Sequence, residues 1–209
     1  MDLYIQKLSK AFNQKPIFSN LNFEIKAGNR FALTGSNGSG KSTLLKILSG
    51  GMLPTSGTIL YQSDGKRIPE DSLFRHVHFV APYNSVIEEL SLRELFVLHQ
   101  RLGLLSGFPN FKDWFSNLEY SFNSDQQIKS FSSGMKQRVK LGLALLDDRP
   151  LILLDEPTSN LDEQGKTWFF NLLGQLKEFQ TLVIASNDSL EISYCTQKIN
   201  LEGAVRADN

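Results

Sequence analysis

Gly35-Ser36-Asn37-Gly38-Ser39-Gly40-Lys41-Ser42 is the stretch on which the fold turns. It matches G-x-x-x-x-G-K-[S/T], a loop that cradles phosphate groups when a strand precedes it and a helix follows. Both flanks have that character: Arg30–Thr34 is a short apolar run, and residues 43–48 pattern as a helix. Glycines let the loop take left-handed conformations without a Cβ clash. Its backbone N–H groups then converge on a phosphate, helped by the positive end of the helix. Lys41 adds a mobile cation for the β- and γ-oxygens, and the Ser42 hydroxyl is a hard oxygen ligand for Mg2+. The bland alternative is a glycine-rich turn that only starts a helix.

Moving outward, residues 151–154 are four apolar residues followed by Asp155 and Glu156. Unbroken apolar runs here, at Arg30–Thr34 and at Thr181–Ala185 suit parallel strands buried on both faces. Helical patterns border each run, so the core is α/β. Ligands of such sheets sit beyond the carboxyl ends of the strands. Asp155 is therefore a candidate metal ligand and Glu156 a candidate base for an attacking water. An acidic strand end alone is usually a solvated turn; beside a phosphate loop it completes a chemistry.

The first 30 residues predict antiparallel strands, because Leu21, Phe23 and Ile25 alternate with Asn22, Glu24 and Lys26. Residues 58–62 predict another strand, following a turn signal at 54–57. Residues 83–149 contain no comparable strand and are expected to form a helical subdomain inserted into the α/β core, which comprises 1–82 and 150–209. Helices are expected over 88–102, broken at 103–109, and over 163–179, with Trp168, Leu172, Leu176 and Phe179 on one face.

Composition narrows the function. The 209 residues carry 22 Lys+Arg against 22 Asp+Glu, so no bulk positive charge is available for nucleic acid. A single cysteine, Cys195, excludes a disulfide scaffold, fits a reducing compartment, and is expected to be a small buried residue. No apolar run approaches the roughly 20 residues of a membrane-spanning helix, and the first residues lack a signal-peptide pattern. The expected location is cytoplasmic, with any membrane role coming through a partner. His76, His78 and His99 have no metal-ligand spacing and are expected to be structural or surface residues.

Phe131-Ser132-Ser133-Gly134-Met135-Lys136-Gln137-Arg138 opens another helix, whose apolar face is Val139, Leu143 and Leu146. Ser132 is either a simple N-cap or part of an anion site at a positive helix end. With GSNGSGKST, FSSGMKQR, LILLDEPTSNLD and ASND in this order, the sequence resembles an ATP-binding cassette (ABC) nucleotide-binding subunit of a transporter, of the small single-cassette type similar to haem-exporter ATP-binding subunits. The resemblance covers essentially the whole chain. It implies a P-loop NTPase core with a mostly parallel sheet, an N-terminal antiparallel β subdomain and an inserted helical subdomain.

It also implies ATP and Mg2+ as ligands, held by Gly35, Ser36, Asn37, Gly38, Ser39, Gly40, Lys41, Ser42 and Thr43, with Ser42 and Asp155 on the metal. Phe12 falls where the family stacks an aromatic ring on adenine. Two cassettes, identical or not, form a head-to-tail dimer in which Ser132, Ser133, Gly134 and Met135 of one meet the γ-phosphate bound by the other. Ser159 and Asp162 belong to the loop lying across that seam. An integral membrane subunit is the implied partner, and nucleic acid is not.

Two departures matter. The family's glutamine before the helical subdomain falls on Pro82, which has no polar side chain, and the nearest amide, Asn84, is out of register by two. The family's switch histidine falls on Asn187, which can donate a hydrogen bond but cannot carry charge or shuttle a proton. Either Glu156 suffices and Asn187 is a sensor, or hydrolysis is slow; an active but slower enzyme is expected. The competing readings are a hydrolysis-impaired nucleotide sensor, a soluble ABC ATPase acting on DNA or ribosomes, and a small-molecule kinase. The stretch between Lys41 and Ser132 lacks the heptads of the DNA-repair type, and a kinase needs no serine–glycine helix. Finally, Phe108, Phe111, Trp114, Phe115, Tyr120 and Phe122 form either a subdomain core or a groove for a short helix of a membrane protein.

Overall fold

The computed structural model describes residues 1–121 and 123–203. Its contacts divide the chain into two units. The first comprises Met1–Phe79, Arg149–Glu156 and the described residues from Lys177 onward; the second comprises Val80–Asp148 and Pro157–Leu176.

The first unit is built on two sheets. One has four strands in the order β2-β1-β4-β5, from β1 (Asp2–Phe12), β2 (Lys15–Ile25), β4 (Ser56–Ser63) and β5 (Lys66–Arg67), and its pairings are antiparallel. The alternation of β2 is realised: Leu21 and Ile25 are buried and Asn22 and Glu24 exposed, with Phe23 half-buried. The other sheet has five strands in the order β6-β7-β8-β3-β9. Here β3 (Arg30–Thr34), β7 (Leu151–Asp155), β8 (Thr181–Ala185) and β9 (Gln197–Asn200) pair in parallel, and β6 (Val77–Val80) flanks β7. Every residue of β7 and β8 is buried, which is why these strands are apolar without alternation.

Helix α1 (Lys41–Leu48) packs on β7 and β8 and buries Leu44, Leu45, Ile47 and Leu48. Phe18, Phe31, Leu33, Leu151, Leu153 and Val183 join them in one hydrophobic core. Burying a leucine or phenylalanine side chain there contributes roughly 1.5–3 kcal/mol. This core fixes the strand end and the helix start between which the phosphate loop is strung. Helix α6 (Ser189–Ser193) follows β8.

The second unit holds α2 (Leu92–Arg101), α3 (Phe111–Ser116), α4 (Ser133–Leu145) and α5 (Glu163–Gly174). Trp114 is fully buried, with Phe96 at 5.6 Å and Phe111 at 6.2 Å, and Phe115 lies 5.1 Å from Phe111. That part of the aromatic cluster is core, while Tyr120 is exposed and Phe122 lies outside the described residues. Trp168 is buried and its Nε1 donates to Asn117 O at 2.8 Å, so α5 belongs with this unit rather than with the α/β core.

Several sequence expectations need correction. Helix α2 begins at Leu92, not at 88, because Ser91 and Glu94 form a reciprocal capping box. The bonds from Ser91 hold the Glu94 carboxyl below the usual range. Helix α5 ends at Gly174, five residues early; glycine is a poor helix former, and Lys177 N–H donates instead to Gln180 Oε1 at 3.0 Å. Phe179 is consequently exposed rather than on the helix face. Leu146 is the C-cap of α4 and only half-buried. Strands β5, β6 and β9 were not predicted: β5 has two residues, β6 four, and β9 is a polar edge with no apolar run. Cys195 is half-buried, and burial raises its pKa to about 11.

Candidate functional site

The phosphate loop leaves β3 and enters α1 through Gly40, whose φ of 98° is left-handed. A Cβ there would lie 2.5 Å from Ile17 Cγ2, so glycine is required by both conformation and space. No side chain caps α1, so no side chain takes up the N–H groups of its first turn. Lys41 is buried, and its ammonium donates to Gly35 O at 2.6 Å and Ser36 O at 3.3 Å.

A cavity of about 290 Å3 is lined by Asn37, Gly38, Gly40, Lys41, Ser42, Thr43, Glu156 and Ile17. It brings together six of the predicted loop residues and the predicted base, while Gly35, Ser36 and Ser39 do not line it. Ile17 was missed in the sequence, since nothing about an isoleucine in an edge strand marks it as a site residue. Glu156 is exposed at a φ of 43°, and its N–H donates to Ala185 O at 2.9 Å. A left-handed non-glycine backbone costs on the order of 1 kcal/mol and is characteristic of functional turns. Asp155 is buried at the end of β7 and does not line the cavity.

Asn187 follows β8, and its Nδ2 donates to Asn37 Oδ1 at 3.3 Å, which places its amide on the phosphate loop. Phe12 stands at the end of β1, exposed, with the Lys10 ammonium 4.9 Å from its ring centre. It does not line the cavity.

In the second unit, the start of α4 forms another cavity, of about 280 Å3, lined by Ser132, Ser133, Gly134, Met135, Asn160, Leu161, Asp162, Arg138 and Tyr120. Ser132 is the N-cap, its Oγ accepting from Met135 N at 3.2 Å. A Cβ on Gly134 would come within 2.8 Å of Asn160 O, so only glycine admits this backbone so close to the helix. Asp162 caps α5, accepting from Gly165 N at 2.7 Å, and Ser159 is exposed outside the lining.

Arg138 was not predicted as a site residue. It is buried, donates to Leu118 O and Glu119 O at 3.2 and 2.7 Å, and lies between the Tyr120 and Trp168 rings. Burial lowers its pKa, and the Asp162 carboxylate partly opposes that shift. In the same unit, Lys140 Nζ donates to Ala81 O and Asn84 O, each at 3.1 Å. The loop lacking the family's glutamine is thus tied to α4 through its carbonyls, with Pro82 exposed.

Among the described residues no group of three or more His, Cys, Asp or Glu could hold a metal. His76 is half-buried, and burial with Arg149 and Arg75 nearby lowers its pKa. No helix among the described residues is long and apolar enough to cross a membrane.

The family described as "ABC transporter" matches residues 18–159. The lantibiotic transport ATP-binding protein SrtF of Streptococcus pyogenes is 30% identical over 205 residues, covering 92% of this chain and 82% of the relative. The putative hemin import ATP-binding protein HrtA of Staphylococcus aureus strain Newman is 29% identical over 212 residues, covering 95% and 94% of the two chains. A solved structure of a putative ABC transporter ATP-binding protein from Pyrococcus furiosus superposes with a TM-score of 0.80 at 27% identity, covering 98% of this chain and 99% of that one.

Proposed function

The chain belongs to the ABC transporter family as an ATP-hydrolysing cassette that powers a membrane transporter, and we propose that two cassettes work head to tail, closing on ATP and reopening on hydrolysis. The single observation that carries the catalytic reading is the cavity shared by Lys41, the loop backbone and Glu156. In this reading the loop N–H groups and Lys41 bind the β- and γ-phosphates of ATP. Glu156 accepts a proton from the attacking water as its oxygen bonds to the γ-phosphorus. The bond to the bridging oxygen breaks, and ADP and phosphate leave.

The oxygen-only donors at the start of α1 and the end of β7 fit Mg2+, which favours hard oxygen ligands and keeps several waters. Ser42 and Asp155 would hold it, and it would neutralise charge on the phosphates. Asn187 would donate to the γ-phosphate from its place on Asn37. It supplies no charge, so turnover is slower than with imidazole at that position. Phe12, exposed on the first unit, would stack on the base.

Ser132 and Gly134 supply the second half of the site from the other cassette. A twofold arrangement completes both halves at once. The cassette sits on the cytoplasmic face of the membrane, held there by an integral membrane partner that selects the cargo. Two relatives of similar identity carry names with different cargoes, lantibiotic and hemin, which supports leaving cargo choice to that partner.

The test is the Mg2+-dependent ATPase rate against protein concentration. Specific activity should rise with concentration and disappear in Glu156→Gln, while ATP binding persists. Activity independent of concentration would sink the composite site. Asn187→His should raise turnover by roughly thirtyfold or more, about 2 kcal/mol and upward, by analogy with other preorganised transition-state contacts. An unchanged rate there would remove the slow-enzyme reading and leave Asn187 as a sensor.

A further inference from the structure

The turn at Gly35–Ser36 is held from two sides. On the carbonyl side, Lys41 Nζ bonds Gly35 O and Ser36 O. On the N–H side, Ser36 N donates to Glu202 Oε1 at 2.8 Å. Glu202 is itself placed by its own N–H, which donates to Asn200 Oδ1 at 3.0 Å. Asn200 closes β9 opposite Thr34 of β3, and its Oδ1 would lie 3.4 Å from a Cβ on Gly35. The neighbouring strand of the parallel sheet therefore delivers a carboxylate to the first turn of the phosphate loop.

The two tethers differ in what nucleotide binding does to them. An ammonium has three donors, and a bound phosphate must take at least one of them. Lys41 cannot give itself fully to the phosphates while it also holds both loop carbonyls. The Glu202 tether takes the Ser36 N–H, and Ser36 does not line the cavity shared by Lys41 and Glu156, so this tether need not break in the exchange.

We propose that Glu202 is a positioning residue of the phosphate loop: it holds the Ser36 peptide so that Lys41 can transfer its hydrogen bonds from the Gly35 and Ser36 carbonyls to the nucleotide without the turn losing its shape. The inference rests on the reading of this loop as the ATP site.

A carboxylate near a triphosphate has an opposing effect, because it repels. Glu202 is exposed, so water and salt screen that repulsion, whereas the short hydrogen bond to Ser36 acts by geometry. The Ser36 hydroxyl and N–H together hold the Glu202 carboxyl below its usual range, with Lys41 contributing less, as expected of a carboxylate engaged by donors. Position should outweigh charge.

Three substitutions separate the two effects. Glu202→Gln keeps the reach and an acceptor oxygen but removes the charge. Glu202→Asp keeps the charge but shortens the side chain. Glu202→Ala removes both. ATP affinity of the isolated chain is measured by calorimetry, with Lys41→Ala alongside. Glu202→Asp and Glu202→Ala should weaken ATP by roughly tenfold, the scale of one hydrogen bond to a charged group, and Glu202→Gln should stay within about twofold of the unsubstituted chain. If Asp behaves as the unsubstituted chain, or if Ala and Gln both tighten binding, charge is the operative property and the proposal falls. If Ala and Asp leave affinity unchanged, Glu202 positions nothing. If Lys41→Ala binds ATP normally, the loop is not the nucleotide site, and both the reading and the inference fall.

Discussion

The chain contains two helix starts lined with small residues, and they are built differently. Helix α1 opens on Gly40 with no side-chain cap, so the N–H groups of its first turn are not taken up by a hydroxyl or carboxylate. Lys41 brings a cation to the same turn. Helix α4 opens on Ser132, whose hydroxyl already accepts from Met135 N, and the nearest guanidinium, Arg138, donates to the carbonyls of Leu118 and Glu119. In the proposed reading, the first start is an anion site with its counter-charge supplied. The second is a finished helix end that offers a phosphate only polar hydrogen-bond donors. The difference supports the proposed division of labour, in which one cassette holds the nucleotide at α1 and the serine–glycine helix contributes from a second cassette.

The comparison can be broken most sharply at Gly40. Local rules favour serine as a helix cap, so Gly40→Ser should help if α1 were an ordinary helix. The left-handed φ and the 2.5 Å approach of Ile17 Cγ2 predict the reverse. We expect a loss of about 2 kcal/mol of stability, read by denaturant unfolding, and at least tenfold weaker ATP binding. Unchanged affinity would mean that the uncapped start is incidental.

Next in size is Gly134→Ala. Alanine favours helix by about 1 kcal/mol, but its Cβ would press on Asn160 O, a backbone atom that cannot rotate away. ATP binding by the isolated chain should be unaffected, while the hydrolysis rate at high protein concentration falls about tenfold, equivalent to about 1.4 kcal/mol of lost transition-state stabilisation. A fall in binding affinity would contradict the division of labour between the two starts.

Ser132→Ala should have the smallest effect on folding. Losing the cap is expected to cost about 1 kcal/mol in the same unfolding measurement. A much smaller loss would mean that the hydroxyl is not committed to Met135 N–H, and the second start would then resemble the first.

Legibility from sequence followed chain distance. The phosphate loop is eight consecutive residues, and both its glycines and its lysine are required by local backbone geometry and local charge, so its chemistry could be inferred in place. The buried strands β3, β7 and β8 were visible because burial on both faces forces unbroken apolar runs. The capping box at Ser91 is also local, yet it was passed over for the wider apolar periodicity, which set the start of α2 too early. The aromatic cluster was ambiguous because aromatic spacing alone cannot distinguish a core from a groove.

By itself, then, the sequence determined the α/β core, the phosphate loop, the acidic strand end and the serine at the start of α4, since each is written in neighbouring residues. Tertiary structure alone decided the rest. Asn187 meets Asn37 across 150 positions and Glu202 meets Ser36 across 166, and such pairs leave no period or spacing behind. Ile17 enters the cavity wall, α5 joins the second unit, and Arg138 lies between two rings for the same reason. Each of those placements depends on how separate elements pack, and packing is settled only when the whole chain has buried its apolar surface.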